Sequence, residues 1–311
     1  MAHPWLCRDI RQGYRGGMGD VKIRFGISFG NAIQDLPHVV DRLESAGIDS
    51  LWFSELVYTP AVDPFAGMAY TLGRTERLKV GTSVAVLPGR NPVLVAKALV
   101  SLAALGPKRV LPAFGLRPAS PAEWDLFPVP DGQRAAVFDE ALEVLRTLLT
   151  GDEVSFAGRF FQLADVSLGI RPPVPVDIWL GGSAPAAFRR IGRLADGWLG
   201  SFLTPAEAHV ARESIERAAA EAGRVIEPDH FGLSLAVGDG GLPAQVVAGV
   251  RARRPDADPA DLLAGDWPQL HRQLDGFIAA GLSKFVIRPL GGTPADEFID
   301  RFIDELLPRQ N

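Results

Sequence analysis

The chain has 311 residues, 47% hydrophobic and 22% charged with both signs mixed, as expected of a soluble globular protein with a large core. A formal net charge of −5 leaves no Lys/Arg stripe to follow a nucleic-acid groove, although a small anion needs only local donors. The single cysteine, Cys7, excludes an internal disulfide and a cysteine metal cluster; with no bilayer-length apolar run and no signal-peptide pattern, the expected compartment is the cytoplasm and no membrane partner is expected.

Met1–Asp20 is rich in Gly and Arg and has no helical or strand period, so it reads as a disordered extension, with Met18 a candidate natural start. Residues 21–311 read as one domain. From Lys22 onward, apolar β-rich runs alternate with amphipathic helical stretches, the mark of parallel βα units. About eight such units are present, enough to close a (β/α)8 TIM barrel. The strand runs are VKIRFGISF, GIDSLWFS, RLKVGTSVAV, KRVLPAFG, VDIWLGG, DGWLGSF, HFGLSLAV and SKFVIRPL. An open doubly wound sheet has the same periodicity. Neither G-x-G-x-x-G after the first strand nor G-x-x-x-x-G-K-[ST] is present, which favours the barrel.

In a parallel barrel the chemistry gathers at the strand C-termini, so each strand end is a place to look. The first strand ends in Ser28, Phe29 and Gly30. A helix over Asp35–Ala46 follows, with Leu36, Val39, Val40 and Leu43 on one face and Gly47 placed for a left-handed cap. The second strand carries Trp52 and ends in Ser54 and Glu55; Glu55 is either a functional carboxylate or one favoured by a helix N-terminus. In the third, VGTSVAVLPGRNP, Thr82 and Ser83 interrupt a β-branched run, and Asn91-Pro92 has the form of a helix cap and first turn. The fourth, PAFGLRPAS, offers Phe114, a close backbone approach at Gly115 and a rim cation at Arg117, which a surface salt bridge would equally explain.

After the helix Gln133–Leu149, EVSFAGRFFQL and IRPPVPV read as an inserted hairpin and a stiff connector ahead of the fifth strand. That strand runs into IWLGGSAPAAFRR. Gly181 and Gly182 can bare their N–H groups, Ser183 can cap the helix or offer its hydroxyl, and Pro185 removes an N–H that would be orphaned anyway. Capping alone does not require two glycines, so an anion site is expected here. The sixth strand brings Trp198 and Ser201 to the same corner; Arg251–Trp267 reads as a loop with one helical turn, and Arg288 ends the eighth strand.

Other chemistries are disfavoured. Among His3, His38, His209, His230 and His271 there is no H-x-x-x-H pair, and the last four fall on helices or ahead of a strand, so no metal site is expected. GGSAP misses the nucleophile elbow because Pro185 stands at its final glycine.

Three segments, GTSVAVLPGRNPVLVAKAL, FDEALEVLRTLLTGDEVSFAGRFFQL and PVDIWLGGSAPAAFRRIGRLADGW, resemble in content and order the luciferase-like monooxygenase superfamily, in particular its branch that uses the deazaflavin coenzyme F420. The resemblance covers Val21 to Leu307. It implies a (β/α)8 barrel with the cofactor ring in the mouth, a non-prolyl cis peptide between Ser83 and Val84 behind the ring, the cofactor phosphate at Gly181, Gly182 and Ser183, and a homodimer. With Ser83 and Val84 at that peptide, strand-end position makes Ser54, Thr82, Gly115, Arg117, Trp198 and Ser201 candidate cofactor contacts and Glu55 and Ser28 catalytic candidates, and a substrate on the open ring face would be walled by Phe29, Trp52, Phe114, Arg288 and the hairpin. The implied activity is hydride transfer between F420 and a small organic molecule. The alternatives are an FMN-dependent monooxygenase fed by a partner reductase, and a cofactor-binding protein without turnover. Several deazaflavin enzymes carry an Asp-His pair after the second strand, where this chain has Glu55 and Leu56. Sugar-phosphate dehydrogenation through that histidine is therefore not expected.

Overall fold

Each of the eight apolar runs becomes a parallel strand in the computed structural model, which describes residues 21–29 and 35–311. The expectations for Met1–Asp20, Cys7, His3 and Gly30 fall outside those residues. In chain order the strands are β1 (Arg24–Ser28), β2 (Ser50–Phe53), a third run divided into β3 (Lys79–Thr82) and β4 (Ala85–Val86), and a fourth divided into β5 (Val110–Leu111) and β6 (Ala113–Gly115). After the antiparallel hairpin of β7 (Val154–Ala157) and β8 (Gln162–Val166) come β9 (Trp179–Gly181), β10 (Gly197–Ser201), β11 (Phe231–Val237) and β12 (Lys284–Pro289). The helices are α1 (Leu36–Ala46), α2 (Pro64–Arg74), α3 (Pro92–Leu105), α4 (Arg134–Thr150), α5 (Pro185–Leu194), α6 (Pro205–Glu221), α7 (Ala244–Arg253), α8 (Pro259–Leu262), α9 (Trp267–Ala279) and α10 (Ala295–Leu306). None is long and apolar enough to cross a membrane.

The strand order is β4-β6-β9-β10-β11-β12-β1-β2-β3-β5. Its two ends belong to the two divided runs, and β3 pairs with β5 while β4 pairs with β6, so the ring closes. The third run divides at the Ser83–Val84 peptide, which is cis as expected. The fourth divides at Pro112, which has no N–H for a ladder. Thr82 mends the seam: its hydroxyl donates to the carbonyl of Ala113 at 2.6 Å and accepts the N–H of Ala113 at 2.8 Å.

Two apolar layers result. Inside the ring, Trp52, Ala113, Trp179, Leu199 and Val286 fill the axis. Gly26 and Gly81 make room there, because a Cβ on Gly26 would lie 2.6 Å, and one on Gly81 2.5 Å, from the Trp52 indole. Outside, the opposite strand faces meet the helices in the main core. Local signals position those helices. α1 buries Val39, Val40 and Leu43 and ends at Gly47 (φ 72°), where the N–H groups of Gly47 and Ile48 return to the carbonyls of Glu44 and Leu43. Asn91 caps α3 by accepting the N–H of Val93 at 2.9 Å.

The hairpin packs on the outer helices. Glu140 of α4 accepts the N–H groups of Arg159, Phe160 and Phe161 at 2.7–2.9 Å, and Lys97 of α3 reaches the carbonyl of Leu168. Its expected role as a pocket wall is corrected, since these contacts place it on the outside of the helical layer. At the N-terminal base of the barrel, Asp49 holds Lys284 at 2.5 Å and Lys79 at 2.8 Å, with Arg24 at 3.8 Å. Burial alone would push the Asp49 carboxyl up; the two ammonium groups override it and hold it at about 2.

Candidate active site

The C-terminal ends of all eight strands open at one mouth, and the side chains that reach it are those whose strand position points inward. Ser28, Ser54 and Ser83 come together there from three successive strand ends. The hydroxyl of Ser54 lies 3.2 Å from that of Ser83 and donates to the Ser83 carbonyl at 3.1 Å; the Ser28 hydroxyl stands 3.5 Å from that of Ser83. Val84 leans over the neighbouring strands β6 and β9. A Cβ on Gly115 would lie 2.6 Å from one of its methyl groups, and one on Gly181 3.1 Å from the other. Two absent side chains thus make space for Val84, and the half-buried Ser83–Val84 edge is presented to the mouth.

Two positions along the ring from β4, β9 ends and the chain turns into α5 through an exposed corner of Gly182, Ser183 and Ala184. Gly182 sits at φ 129°, a conformation that side chains oppose. The helix N-cap is Ala184, without a side-chain cap, so Ser183 does not cap. No acceptor among the described residues takes the N–H of Gly182, Ser183 or Ala184. Three donors at one helix N-terminus make a cradle for an anion. The carbonyl of Gly182, by contrast, is engaged, accepting from the Trp198 indole at 2.9 Å.

Arg288 is half-buried at the end of β12, on the inward parity of Lys284 and Val286, with no carboxylate partner among the described residues. Burial alone lowers its guanidinium. Ser201 is half-buried at the end of β10. Arg117 is exposed and lies over the Trp124 ring at 4.9 Å in place of a salt bridge. His38, His209 and His271 lie on α1, α6 and α9, and His230 just ahead of β11, all off the strand C-termini.

Glu55 is only 5% exposed. Its carboxylate accepts the N–H of Val86 at 2.6 Å and pairs with Arg90. Burial pushes its carboxyl up, against the opposing pull of Val86 and Arg90. The helix-terminus reading of Glu55 is corrected, because the next helix begins only at Pro64.

Three expected contacts, Thr82, Phe114 and Trp198, are corrected. Thr82 is wholly buried with its hydroxyl engaged on Ala113, so it cannot reach a ligand. Phe114 and Trp198 point outward into the helical layer, Trp198 packing edge-on to Phe188 at 6.0 Å. Trp52 points inward but lies beneath the mouth as floor, its N–H on the Ser50 hydroxyl at 2.9 Å. Phe29 packs on Phe298 of α10 at 5.8 Å and, with Trp52 and Ser54, lines an apolar depression that takes in Leu36, Val39 and Val62. Sequence reasoning missed Arg90, which has the look of a turn residue in PGRNP, and whose partner lies 35 positions away. It also missed Glu123, buried in the loop after β6, which accepts the N–H of Tyr58 at 2.9 Å and joins two rim loops.

Comparison with known proteins fits this geometry. The family model described as luciferase-like monooxygenase matches residues 13–252. An F420-dependent glucose-6-phosphate dehydrogenase from Beutenbergia cavernae is 30% identical over 86% of this chain and 90% of its own length. Two solved structures share the fold. An F420-dependent secondary alcohol dehydrogenase in complex with an F420-acetone adduct has a TM-score of 0.76 at 20% identity, covering 92% of this chain and 98% of the other. The coenzyme F420 dependent tetrahydromethanopterin reductase from Methanopyrus kandleri has a TM-score of 0.75 at 17% identity, covering 94% and 100%.

Proposed function

The chain belongs to the luciferase-like monooxygenase family, and we propose that it is an oxidoreductase transferring a hydride between coenzyme F420 and a small organic substrate held in the barrel mouth. The cofactor assignment follows the F420-dependent relative that this chain covers almost end to end. The observation that carries the site is the corner at Gly182–Ala184, whose three N–H groups have no acceptor among the described residues and which follows Gly181, itself beside Val84.

The residues present suit a planar molecule with an anionic tail. Gly182, Ser183 and Ala184 would hold the phosphate through main-chain donors, and Gly181 and Gly115, lacking side chains, seat Val84 at the edge that would meet the ring. When bound, the deazaflavin supplies two-electron hydride chemistry and the protein supplies position and electrostatics. Ser28, Ser54 and Ser83 orient donors and acceptors at the floor of the mouth, and Ser28 is the candidate for holding a proton there. Ser201 and Arg117 would border the cofactor. Arg288 would fix a polar or anionic group of the substrate, because an arginine half out of water without a partner gains most from such a group. The relative's own substrate is not carried over, since the end of β2 offers Glu55 and Leu56 in place of an imidazole and Glu55 is turned away onto Arg90. We place the protein in the cytoplasm as a homodimer.

Fluorescence quenching with F420 and with FMN tests the reading. F420 is expected to bind in preference to FMN, and the protein is expected to turn over at least one member of a panel of reducible enones and oxidisable alcohols. Tighter FMN binding would point instead to the oxygen-using branch and a partner reductase; binding without turnover would make it a cofactor carrier. Gly182→Asp places a carboxylate among the three donors and is expected to weaken F420 by more than about 100-fold. Gly182→Ala, which shares the backbone strain without the charge, is expected to lose far less. Equal affinity in the Asp variant and the wild type would refute the phosphate assignment.

A further inference from the structure

We infer that Glu55 and Arg90 are positioning residues that lock the segment bearing Ser83 and Val84 onto the end of β2, and so govern where a cofactor ring can lie without touching it. The inference rests on the proposed cofactor reading for its functional consequence, but the lock itself is visible in the protein alone. Four bonds from consecutive residues of one strand end hold the segment. The Phe53 carbonyl accepts the N–H of Ser83 at 2.8 Å, the Ser54 hydroxyl donates to the Ser83 carbonyl at 3.1 Å, the Glu55 N–H donates to the Val84 carbonyl at 3.4 Å, and the Glu55 carboxylate accepts the N–H of Val86 at 2.6 Å.

Arg90 closes the loop from the other side. Its Nε donates to the carbonyl of Val86 at 3.0 Å while Nη2 pairs with Glu55, so the N–H and C=O of one residue, Val86, are held by the two halves of one ion pair. The guanidinium lies near two rings, Phe65 of α2 at 5.7 Å and Phe127 of the loop after β6 at 5.3 Å. It therefore ties the Ser83–Val84 segment to a helix and to a second rim loop. A proton-handling role for Glu55 fits poorly with this geometry: one oxygen is on Val86, the other faces Arg90, and neither is free to meet a reacting atom.

Three proteins decide the matter: Arg90→Met, which keeps an unbranched apolar stem, Glu55→Gln, which keeps an oxygen for Val86 without the charge, and the double variant. In the ligand-free proteins, Arg90→Met is expected to speed amide exchange at Val84–Val86 by about tenfold or more while β11 and β12 stay as in wild type. It should weaken F420 by about tenfold, the effect of one charge-assisted hydrogen bond, and the double variant should be no worse than Arg90→Met. Turnover at saturating cofactor should stay within about threefold of wild type, and the limbs of its pH profile should not move. Arg90→Lys, which keeps the charge, should recover part of the affinity and stands in if Arg90→Met does not fold. A Glu55→Gln variant that binds F420 normally yet loses turnover together with one limb of the pH profile would overturn the inference in favour of acid–base catalysis. Wild-type exchange and affinity in Arg90→Met would overturn it outright. If the wild type binds neither cofactor the functional reading fails, while the exchange measurement still decides the lock.

Discussion

The two ends of the barrel solve the same problem in opposite ways. At the base, charge meets opposite charge: the Asp49 carboxylate faces Lys284, Lys79 and Arg24. At the mouth, donors accumulate without acceptors. Arg288 has no carboxylate, and the N–H groups of Gly182, Ser183 and Ala184 face no protein oxygen among the described residues. Exposed donors such as those of the corner are met by water in the free protein and are open to an anion, while a half-buried guanidinium without a partner gains from one. The difference separates a closed structural plug from an end prepared for an anionic visitor.

Breaking the plug should have the largest effect. Asp49→Ala leaves Lys284 enclosed and unpaired, and urea unfolding is expected to show a loss of about 3–5 kcal/mol with F420 affinity unchanged in the fraction that folds. The charge is worth testing by pH as well. Because the native Asp49 carboxyl is lowered to about 2, its contribution is complete above the ordinary aspartate value and fades as pH falls through that of the folded state. The stability gap between the wild type and Asp49→Asn should thus be flat above about pH 4 and narrow below it. A gap that widens on acidification would mean that the carboxylate does not hold the base.

Thr82→Val probes the wall between the two ends. It removes a hydroxyl that serves both main-chain groups of Ala113, and a loss of about 2 kcal/mol is expected in the same unfolding assay, without a selective effect on either end. The smallest change in stability belongs to Arg288→Met. Having no partner to orphan, this variant should unfold within about 0.5 kcal/mol of wild type, or later, while KM for any anionic substrate rises by about tenfold. A large destabilisation there would show that Arg288 is structural after all, and that the two ends are more alike than described.

Much of this was legible in the sequence because the signals are local. The α1 stripe with Gly47, the Asn91-Pro92 cap, the Pro185 helix start and the alternation of eight apolar runs each need only a few neighbouring residues to be read. The parity of the strands was not legible. In a closed parallel barrel both faces of a strand are buried, so Phe114 and Trp198, which face the helices, differ in no obvious way from Trp52, which faces the axis. Parity decides which residues a ligand can meet, and that is where Thr82, Phe114 and Trp198 went astray. Arg90 was missed for the complementary reason: its partner Glu55 is remote in sequence, and the parallel pairing of the second and third strand runs is what brings them together.

The bond from the Trp198 indole to the Gly182 carbonyl has a directional consequence. That carbonyl and the Ser183 N–H are opposite edges of one rigid trans peptide plane, so pulling the oxygen towards the core aims the hydrogen outward. A residue that no ligand can touch thereby sets the bearing of a donor that a ligand would, and the corner is oriented before anything arrives.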